Sequence, residues 1–312
     1  MLPFTKVQGL GNDFVVVDLR PGRPGASTGE GPSPEDPAIV RAICDRHFGV
    51  GADGVLAILP GVRGDARMRV LNADGSEAEM CGNGIRCVAK VLYETDPALR
   101  RPVLRIDTGA GLLDCEIDAG GGDVTRVAVE MGRPRYTRDE IPMAPGGAAR
   151  AVREAIEVRA PQQGARTLRF TAVSMGNPHA VFFVDDVNDG EDLRALAEGL
   201  GPVIELSPTF PRRTNVEFAR VRAGAKGAAE IDLVVWERGV GITLACGTGA
   251  CATVAAACLE ERLPRGREVR VNLLGGPLDI TVAPDDSGVR MRGPAVTVFR
   301  AELDLARLRP VG

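Results

Sequence analysis

Seven cysteines are spread through a chain of 312 residues, and two of them share one local frame, Cys81-Gly82-Asn83-Gly84 and Cys246-Gly247-Thr248-Gly249. After Cys81, the residues Ile85, Val88, Ala89, Leu92 and Tyr93 fall at the spacing of a single helix face. After Cys246, the set Cys251, Val254, Ala255, Cys258 and Leu259 repeats that spacing. Each of the two cysteines therefore stands at a predicted helix N-terminus, in a Gly-rich turn that lets backbone N–H groups approach an anion closely. The positive end of the helix also favours thiolate over thiol, which matters for a side chain whose ordinary pKa is about 8.5. A thiolate and a thiol on opposite sides of one carbon can remove a proton from one face and deliver one to the other, and can exchange those roles in reverse. Such a pair suits stereochemical inversion. Cys44, Cys87, Cys115, Cys251 and Cys258 lack this repeated frame and read as core residues.

Other cysteine chemistries fit poorly. An odd number of widely spaced cysteines argues against a disulfide framework, and no C-x-x-C pair or His-rich spacing offers zinc a site, His47 and His179 being the only histidines. No metal is expected. Pyridoxal phosphate would need a Schiff-base lysine, and Lys6, Lys90 and Lys226 stand in no recognisable cofactor setting. No cofactor is expected. A formal charge of -4 gives no reason to expect nucleic acid, and small polar or charged metabolites remain open as ligands. With 44% hydrophobic and 26% charged residues, no apolar run of spanning length and no signal-like layout in Met1 to Phe14, the expectation is a globular cytoplasmic protein without a membrane partner.

The elements that must position these loops follow from length and repetition. At this length two domains are expected. Gly11-Asn12 recurs as Gly176-Asn177 and Cys81 as Cys246, both 165 residues on (176 − 11 and 246 − 81), with strand-like runs Met68 to Leu71 and Leu233 to Trp236 before the cysteines. Two motif pairs at one offset imply a duplicated architecture whose equivalent loops would face each other across a pseudo-twofold cleft. Ser33 and Pro34 read as the N-cap and first position of a helix running through Ile39, Val40 and Ile43 to about Gly49. Val124 to Glu130, Val269 to Leu274, Leu278 to Val282 and Val296 to Phe299 read as strands. Arg20 to Pro32 and Gly146 to Arg166 read as loose segments.

Five ordered segments resemble diaminopimelate epimerases: Lys6 to Asp18, Asn72 to Cys87, Met175 to Val184, Arg213 to Val221 and Trp236 to Ala252. The resemblance implies an α/β (α+β mixed) fold of two pseudo-symmetric domains, each a curved mixed sheet wrapped around a central helix. It places one domain at 1–133, regaining strands from about 289–312, and the other at 134–288. It implies an isomerase of lysine and peptidoglycan precursor synthesis that interconverts LL- and meso-diaminopimelate without pyridoxal phosphate or metal, as a homodimer. Carried over by position, Cys81 and Cys246 match the catalytic acid and base, Gly82-Asn83 and Gly247-Thr248 the loops that hold the reacting carboxylate, and Asn12 a residue near the reacting amino group. Asn72, Asn177, Asn215, Glu237 and Arg238 match the set that holds the distal end, while His179 and Glu237 match residues that tune the thiols. A substrate zwitterionic at both ends does call for Arg on a carboxylate and for amide or carboxylate oxygens on ammonium groups. One departure is Gly54, where some relatives carry Gln.

Proline racemase, from the same two-cysteine superfamily, has no use for a recognition set at a second zwitterion, so Glu237-Arg238 with Asn72 and Asn215 speaks against it. A thiol redox protein would be expected to carry C-x-x-C. A pure amino-acid-binding module would leave both thiols unexplained.

Overall fold

The structure is a computed structural model that describes residues 1–26, 32–160, 164–184, 190–224 and 229–308. It divides into two compact units, one built from Met1–Val129 with Arg292–Gly312 and the other from Glu130–Met291. In the first unit β1 (Leu2–Gly9) pairs antiparallel with β2 (Asn12–Asp18), which runs parallel to β3 (Gly54–Pro60). Strand β3 pairs antiparallel with β4 (Ala66–Asn72), which pairs antiparallel with the short β5 (Glu77–Ala78) and parallel with β6 (Val103–Thr108). Antiparallel hairpins then lead through β7 (Gly111–Gly120) to β8 (Asp123–Glu130). The connections hold α1 (Pro37–Cys44) and α2 (Gly82–Thr95).

The second unit opens with β9 (Glu154–Ala160) antiparallel to β10 (Gly164–Ser174) and then repeats the first strand for strand. Strand β10 pairs antiparallel with β11 (Pro178–Phe183), β11 parallel with β12 (Asn215–Ala223), and β12 antiparallel with β13 (Ala229–Glu237). Strand β13 pairs antiparallel with β14 (Gly241–Ile242) and parallel with β15 (Glu268–Leu273), and β15 antiparallel with β16 (Gly276–Val282). Helices α3 (Leu193–Glu205) and α4 (Gly247–Leu259) take the places of α1 and α2, and β17 (Val289–Pro294) leads back. Strand β18 (Val296–Leu303) returns to the first unit and lies antiparallel to β1. This is a mixed α/β fold with a largely antiparallel sheet and a few parallel crossings, each crossing bridged by a helical connection.

Strand alternation gives each sheet two buried faces. In the second unit Ala180, Phe182, Val216 and Phe218 point to α3 and join Leu196, Leu200, Ile204, Phe170 and Phe210 in one apolar core. In the first unit Val15, Val17, Val55, Ala57 and Leu71 join Val40 and Ile43 of α1. The opposite face receives the central helix. Helix α2 touches β1, β2, β3, β4, β6 and β7, so the sheet curves around it, and α4 is met in the same way by β10, β11, β12 and β16. Helix α4 is buried along nearly its whole length, with Ala250, Cys251, Ala252, Val254 and Ala255 all sealed, because an Ala-rich helix lets surrounding strands approach on every side.

Several sequence expectations are corrected. The first helix is capped by Asp36, whose carboxylate accepts from the Ala38 N–H at 2.8 Å, with Pro37 at its first position, and it ends at Cys44. Asp36-Pro37 and Ser33-Pro34 carry the same cap signal, and the later pair is the one that brings Val40 and Ile43 onto the core. Gly146 to Arg166 is not wholly loose. Glu154–Ala160 alternates buried and solvated residues as β9 and β10 begins at Gly164, while 161–163 lie outside the described residues. In Arg20 to Pro32, residues 27–31 lie outside them too, as does Lys226. No described helix is long and apolar enough to cross a membrane.

Candidate active site

Both singled-out cysteines are helix N-caps. Cys81 holds an extended backbone (φ -137, ψ 113) and its sulfur accepts from the Gly84 N–H at 3.3 Å. Cys246 does the same (φ -110, ψ 107), accepting from the Gly249 N–H at 3.3 Å. A side chain at either third position would be crowded. A Cβ on Gly84 would come within 3.1 Å of Leu56, and one on Gly249 within 3.0 Å of Glu217 Oε1 and 3.2 Å of the Cys246 sulfur. The first-turn amides of α2 and α4, at Gly82-Asn83 and Gly247-Thr248, form the kind of helix N-terminus that accepts a carboxylate.

Around Cys81 the structure gathers Asn12 and Asn83. The Cys81 sulfur lies 3.8 Å from Asn12 Oδ1, to which Asn83 Nδ2 also donates at 3.4 Å. Asn12 Nδ2 donates to Asp53 Oδ2 at 2.7 Å, and since a carboxylate only accepts, that contact fixes which way the amide points. Arg46 pairs with Asp53 at 2.8 Å and with Asp13 at 2.7 Å, bracing the same turn. Arg86, fully buried in α2, donates to Asn83 Oδ1 and to the Gly82 carbonyl, both at 2.9 Å, and so orients the Asn83 amide.

Around Cys246 the cast is different. Its sulfur is 3.5 Å from Thr248 Oγ1, and Glu237, whose carboxyl accepts from the Thr243 hydroxyl, is a near neighbour. Asn177 Nδ2 donates to Thr248 Oγ1 at 3.3 Å. His179, wholly buried, meets Asn177 Oδ1 at 2.9 Å through Nε2 and Glu217 Oε1 at 2.7 Å through Nδ1. Burial pushes the Cys246 thiol well above its ordinary range, and the neighbouring Glu237 and Glu217 push it further, against the Thr248 hydroxyl and the Gly249 N–H. The expected help from the helix end is thus outweighed at Cys246. Burial likewise raises the carboxyls of Glu237 and Glu217, with the histidine pulling the other way.

Of the residues expected at the distal end, Asn72 lies in the first unit and Asn177, Asn215, Glu237 and Arg238 in the second. Asn72 donates to Ser76 Oγ at 2.9 Å. Asn215 is buried, donating to the Pro178 carbonyl and accepting from the Arg238 backbone N–H, both at 2.9 Å, so it acts as a clamp that sets the turn carrying Arg238. The exposed Arg238 guanidinium donates to the Arg212 carbonyl at 3.2 Å. The other cysteines, Cys44, Cys87, Cys115, Cys251 and Cys258, are buried.

Residues 4–137 and 171–298 match the diaminopimelate epimerase family. The chain is 46% identical over 97% of its length to the diaminopimelate epimerase of Moorella thermoacetica, of which it covers 99%. It is 48% identical over 96% of its length to that of Desulforudis audaxviator, covering 98% of that protein. The chain belongs to the diaminopimelate epimerase family. Its fold is shared at much lower identity by a probable proline racemase from Agrobacterium radiobacter K84 (TM-score 0.65, 16% identity, 98% of this chain and 93% of that one). A hydroxyproline epimerase from Agrobacterium vitis resembles it as closely (TM-score 0.65, 17% identity, 97% and 90%).

Within this family member, the position of Gly54 is closed to side chains, because a Cβ there would lie 2.6 Å from the Leu71 carbonyl oxygen. Sequence reasoning missed Asp53, Arg86 and Glu217. The first two orient amides already singled out, and their signal is adjacency to the motifs. Glu217 lies inside the TNVEF segment, and its signal is a carboxylate between Val216 and Phe218 in a strand buried on both faces.

Proposed function

We propose that this protein interconverts LL- and meso-diaminopimelate by moving the Cα proton between Cys81 and Cys246, without pyridoxal phosphate or metal. The observation that carries the reading is the recurrence of one device, a cysteine capping a helix N-terminus, at equivalent points of both units in a chain of this family. Inversion needs an acid and a base on opposite faces of one carbon, and two helix-capping sulfurs supply them. Burial and two carboxyl neighbours keep Cys246 protonated, so Cys246 delivers the first proton and Cys81 takes one, with the roles exchanged in the reverse direction. In this reading the amides at Gly82-Asn83 and Gly247-Thr248 hold the reacting carboxylate, and Asn12 stands near the reacting amino group. Asn72, Asn177, Glu237 and Arg238, the last set by Asn215, recognise the distal end, where a guanidinium can grip a carboxylate in two parallel hydrogen bonds. His179 and Glu237 tune the thiol beside them. The setting is cytoplasmic synthesis of lysine and peptidoglycan precursors, by a homodimer.

Incubation with LL-diaminopimelate in deuterated water tests the proposal. Meso product should form with one solvent-derived deuterium at the inverted Cα, approaching a meso:LL ratio of about two because either end of the LL isomer gives the same product, a statistical term of RT ln 2. Label-free inversion, or efficient racemisation of proline in its place, would reject it.

A further inference from the structure

We propose that Glu217 is a positioning residue for Cys246, fixing through His179, Asn177 and Thr248 the direction of a hydrogen-bonded chain that turns a hydroxyl donor onto the sulfur. The inference rests on the reading of Cys246 as a reacting thiol. The links are Glu217 Oε1 to His179 Nδ1 at 2.7 Å, His179 Nε2 to Asn177 Oδ1 at 2.9 Å, Asn177 Nδ2 to Thr248 Oγ1 at 3.3 Å and Thr248 Oγ1 to the Cys246 sulfur at 3.5 Å. All five residues belong to the second unit.

Such a chain can run either way, and Glu217 decides. If Asn177 presented its Nδ2 to His179, the imidazole proton would sit on Nδ1 and Glu217 would be a carboxylate facing a neutral ring. Glu217 is fully buried, and its Oε2 has no hydrogen-bond partner. An anion there, held only by Nδ1–H and the Ala180 N–H, is costly, and a proton placed on Oε2 instead would have no acceptor. In the opposite direction the Oε1···Nδ1 contact holds one proton and Nε2 holds another, so carboxyl and imidazole together are neutral wherever the shared proton lies. Nε2–H then donates to Asn177 Oδ1 and Asn177 Nδ2–H donates to Thr248 Oγ1. The Thr248 hydroxyl, its oxygen already accepting, has its hydrogen free for Cys246. That donor is most useful once Cys246 has given up its proton and left a buried thiolate beside Glu237. The carboxyls of Glu237 and Glu217 and the imidazole of His179 are the ionisable groups that act here.

The other unit shows that this is no requirement of packing. The parallel strand pairs set Phe14 opposite Gly54 and His179 opposite Asn215, so Phe14 answers to His179 and Leu56 to Glu217. Leu56 approaches Gly84 just as Glu217 approaches Gly249. The same architecture is closed by two hydrocarbon side chains.

The test is the pH dependence of iodoacetamide alkylation, read separately at Cys246 and Cys81 by peptide mass spectrometry, in the wild type, Glu217→Gln, Thr248→Val and the double variant. Glutamine keeps the shape but can donate or accept, so the chain loses its enforced direction. The Cys246 profile should move to higher pH in both single variants. Its rate at pH 8 should fall roughly three- to tenfold, the worth of one hydrogen bond, while Cys81 is unchanged. The double variant should lose no more than Thr248→Val alone, because both act through one link. An unmoved Cys246 profile in Glu217→Gln, or effects that multiply in the double variant, would overturn the proposal. Should Glu217→Gln fold too poorly to measure, His179→Phe with Glu217→Leu imports the Phe14 and Leu56 pair and reads the same profile. Alkylation does not depend on turnover, so a wild type inactive on diaminopimelate would refute the proposed function while leaving this result to stand or fall separately.

Discussion

The loops at Cys81 and Cys246 share their backbone and differ in almost everything else. In the first unit Asn83 donates to Asn12, and in the second the equivalent bond runs backwards, from Asn177 to Thr248. Cys81 faces an amide oxygen, whereas Cys246 faces a hydroxyl. The buried polar group near the loop also changes kind, from the Arg86 guanidinium in α2 to the Glu217 carboxyl beneath α4. Outside the loop, Asn72-Ala73 stands where the second unit has Glu237-Arg238. The two units thus repeat one helix-capping thiol and surround it unequally. An acid and a base for one carbon must be unequal, since at any moment one holds the proton and the other does not.

The comparison breaks most visibly if either sulfur is removed. Cys81→Ala and Cys246→Ala should each lower epimerisation by about a thousandfold or more, measured by chiral chromatography from both LL and meso substrate. A single variant that kept substantial turnover would show that one loop suffices. The distal asymmetry is next. Arg238→Lys should lower kcat/KM for diaminopimelate by roughly ten- to a hundredfold, chiefly through KM, because a point charge does not reproduce the two-pronged grip of guanidinium. An unchanged kcat/KM would return Arg238 to a purely structural role.

A third effect concerns stability. Burial pushes the Cys87 thiol of the first unit up to about 12, and that of Cys258 in the second up to about 11. The unfolded chain ionises these thiols near their ordinary value while the folded chain does not. Their stabilisation is therefore complete below about pH 9 and is lost as pH rises from there through the folded values. For Cys87 the slope is about 1.4 kcal/mol per pH unit. Urea midpoints should fall above pH 9, and Cys87→Ala should flatten that decline while lowering the plateau at pH 7. An equally steep decline in the variant would assign the alkaline loss elsewhere. The smallest effect tests the amide direction near Cys81. Asp53→Asn lets the Asn12 amide turn over and should reduce kcat several-fold with little change in thermal midpoint, about the worth of one exposed hydrogen bond. A change in midpoint without a change in kcat would make Asp53 a simple turn brace.

Much of this was legible in the sequence because it repeats. The helix stripes after each cysteine and the strands leading to them follow from spacing, while the fold class came with the resemblance to the family and is consistent with the repeat. Glu217 escaped for a specific reason. The 165-residue offset relates Asn12 to Asn177 and Cys81 to Cys246, but the connections holding α1 and α3 differ in length, so Gly54 answers to Asn215 at a different spacing. A search at the fixed offset never sets Leu56 beside Glu217. The direction of an amide is likewise invisible in a string of letters, since it is decided by a neighbour such as Asp53 or His179 that only the parallel strands bring close. Strand β9 was hidden by the glycines of Gly146-Gly147, although its own alternation, with Ile156, Val158 and Ala160 buried, was there to read.

The pairing of β1 with β18 joins Leu2 to Leu303 across the whole of the second unit in sequence. During synthesis the second unit, continuous from Glu130 to Met291, is complete before the ribosome reaches Val296. The first unit is not. Until Val296–Leu303 emerges, β1 has β2 on one side only, and its other edge is an unpaired ladder inviting association with another nascent chain. Maturation of the Cys81 half must therefore wait for Val296–Leu303, although most of its residues are made first, and a ribosome that stalls before that strand would hold a chain whose later-made unit is folded and whose earlier-made unit is not.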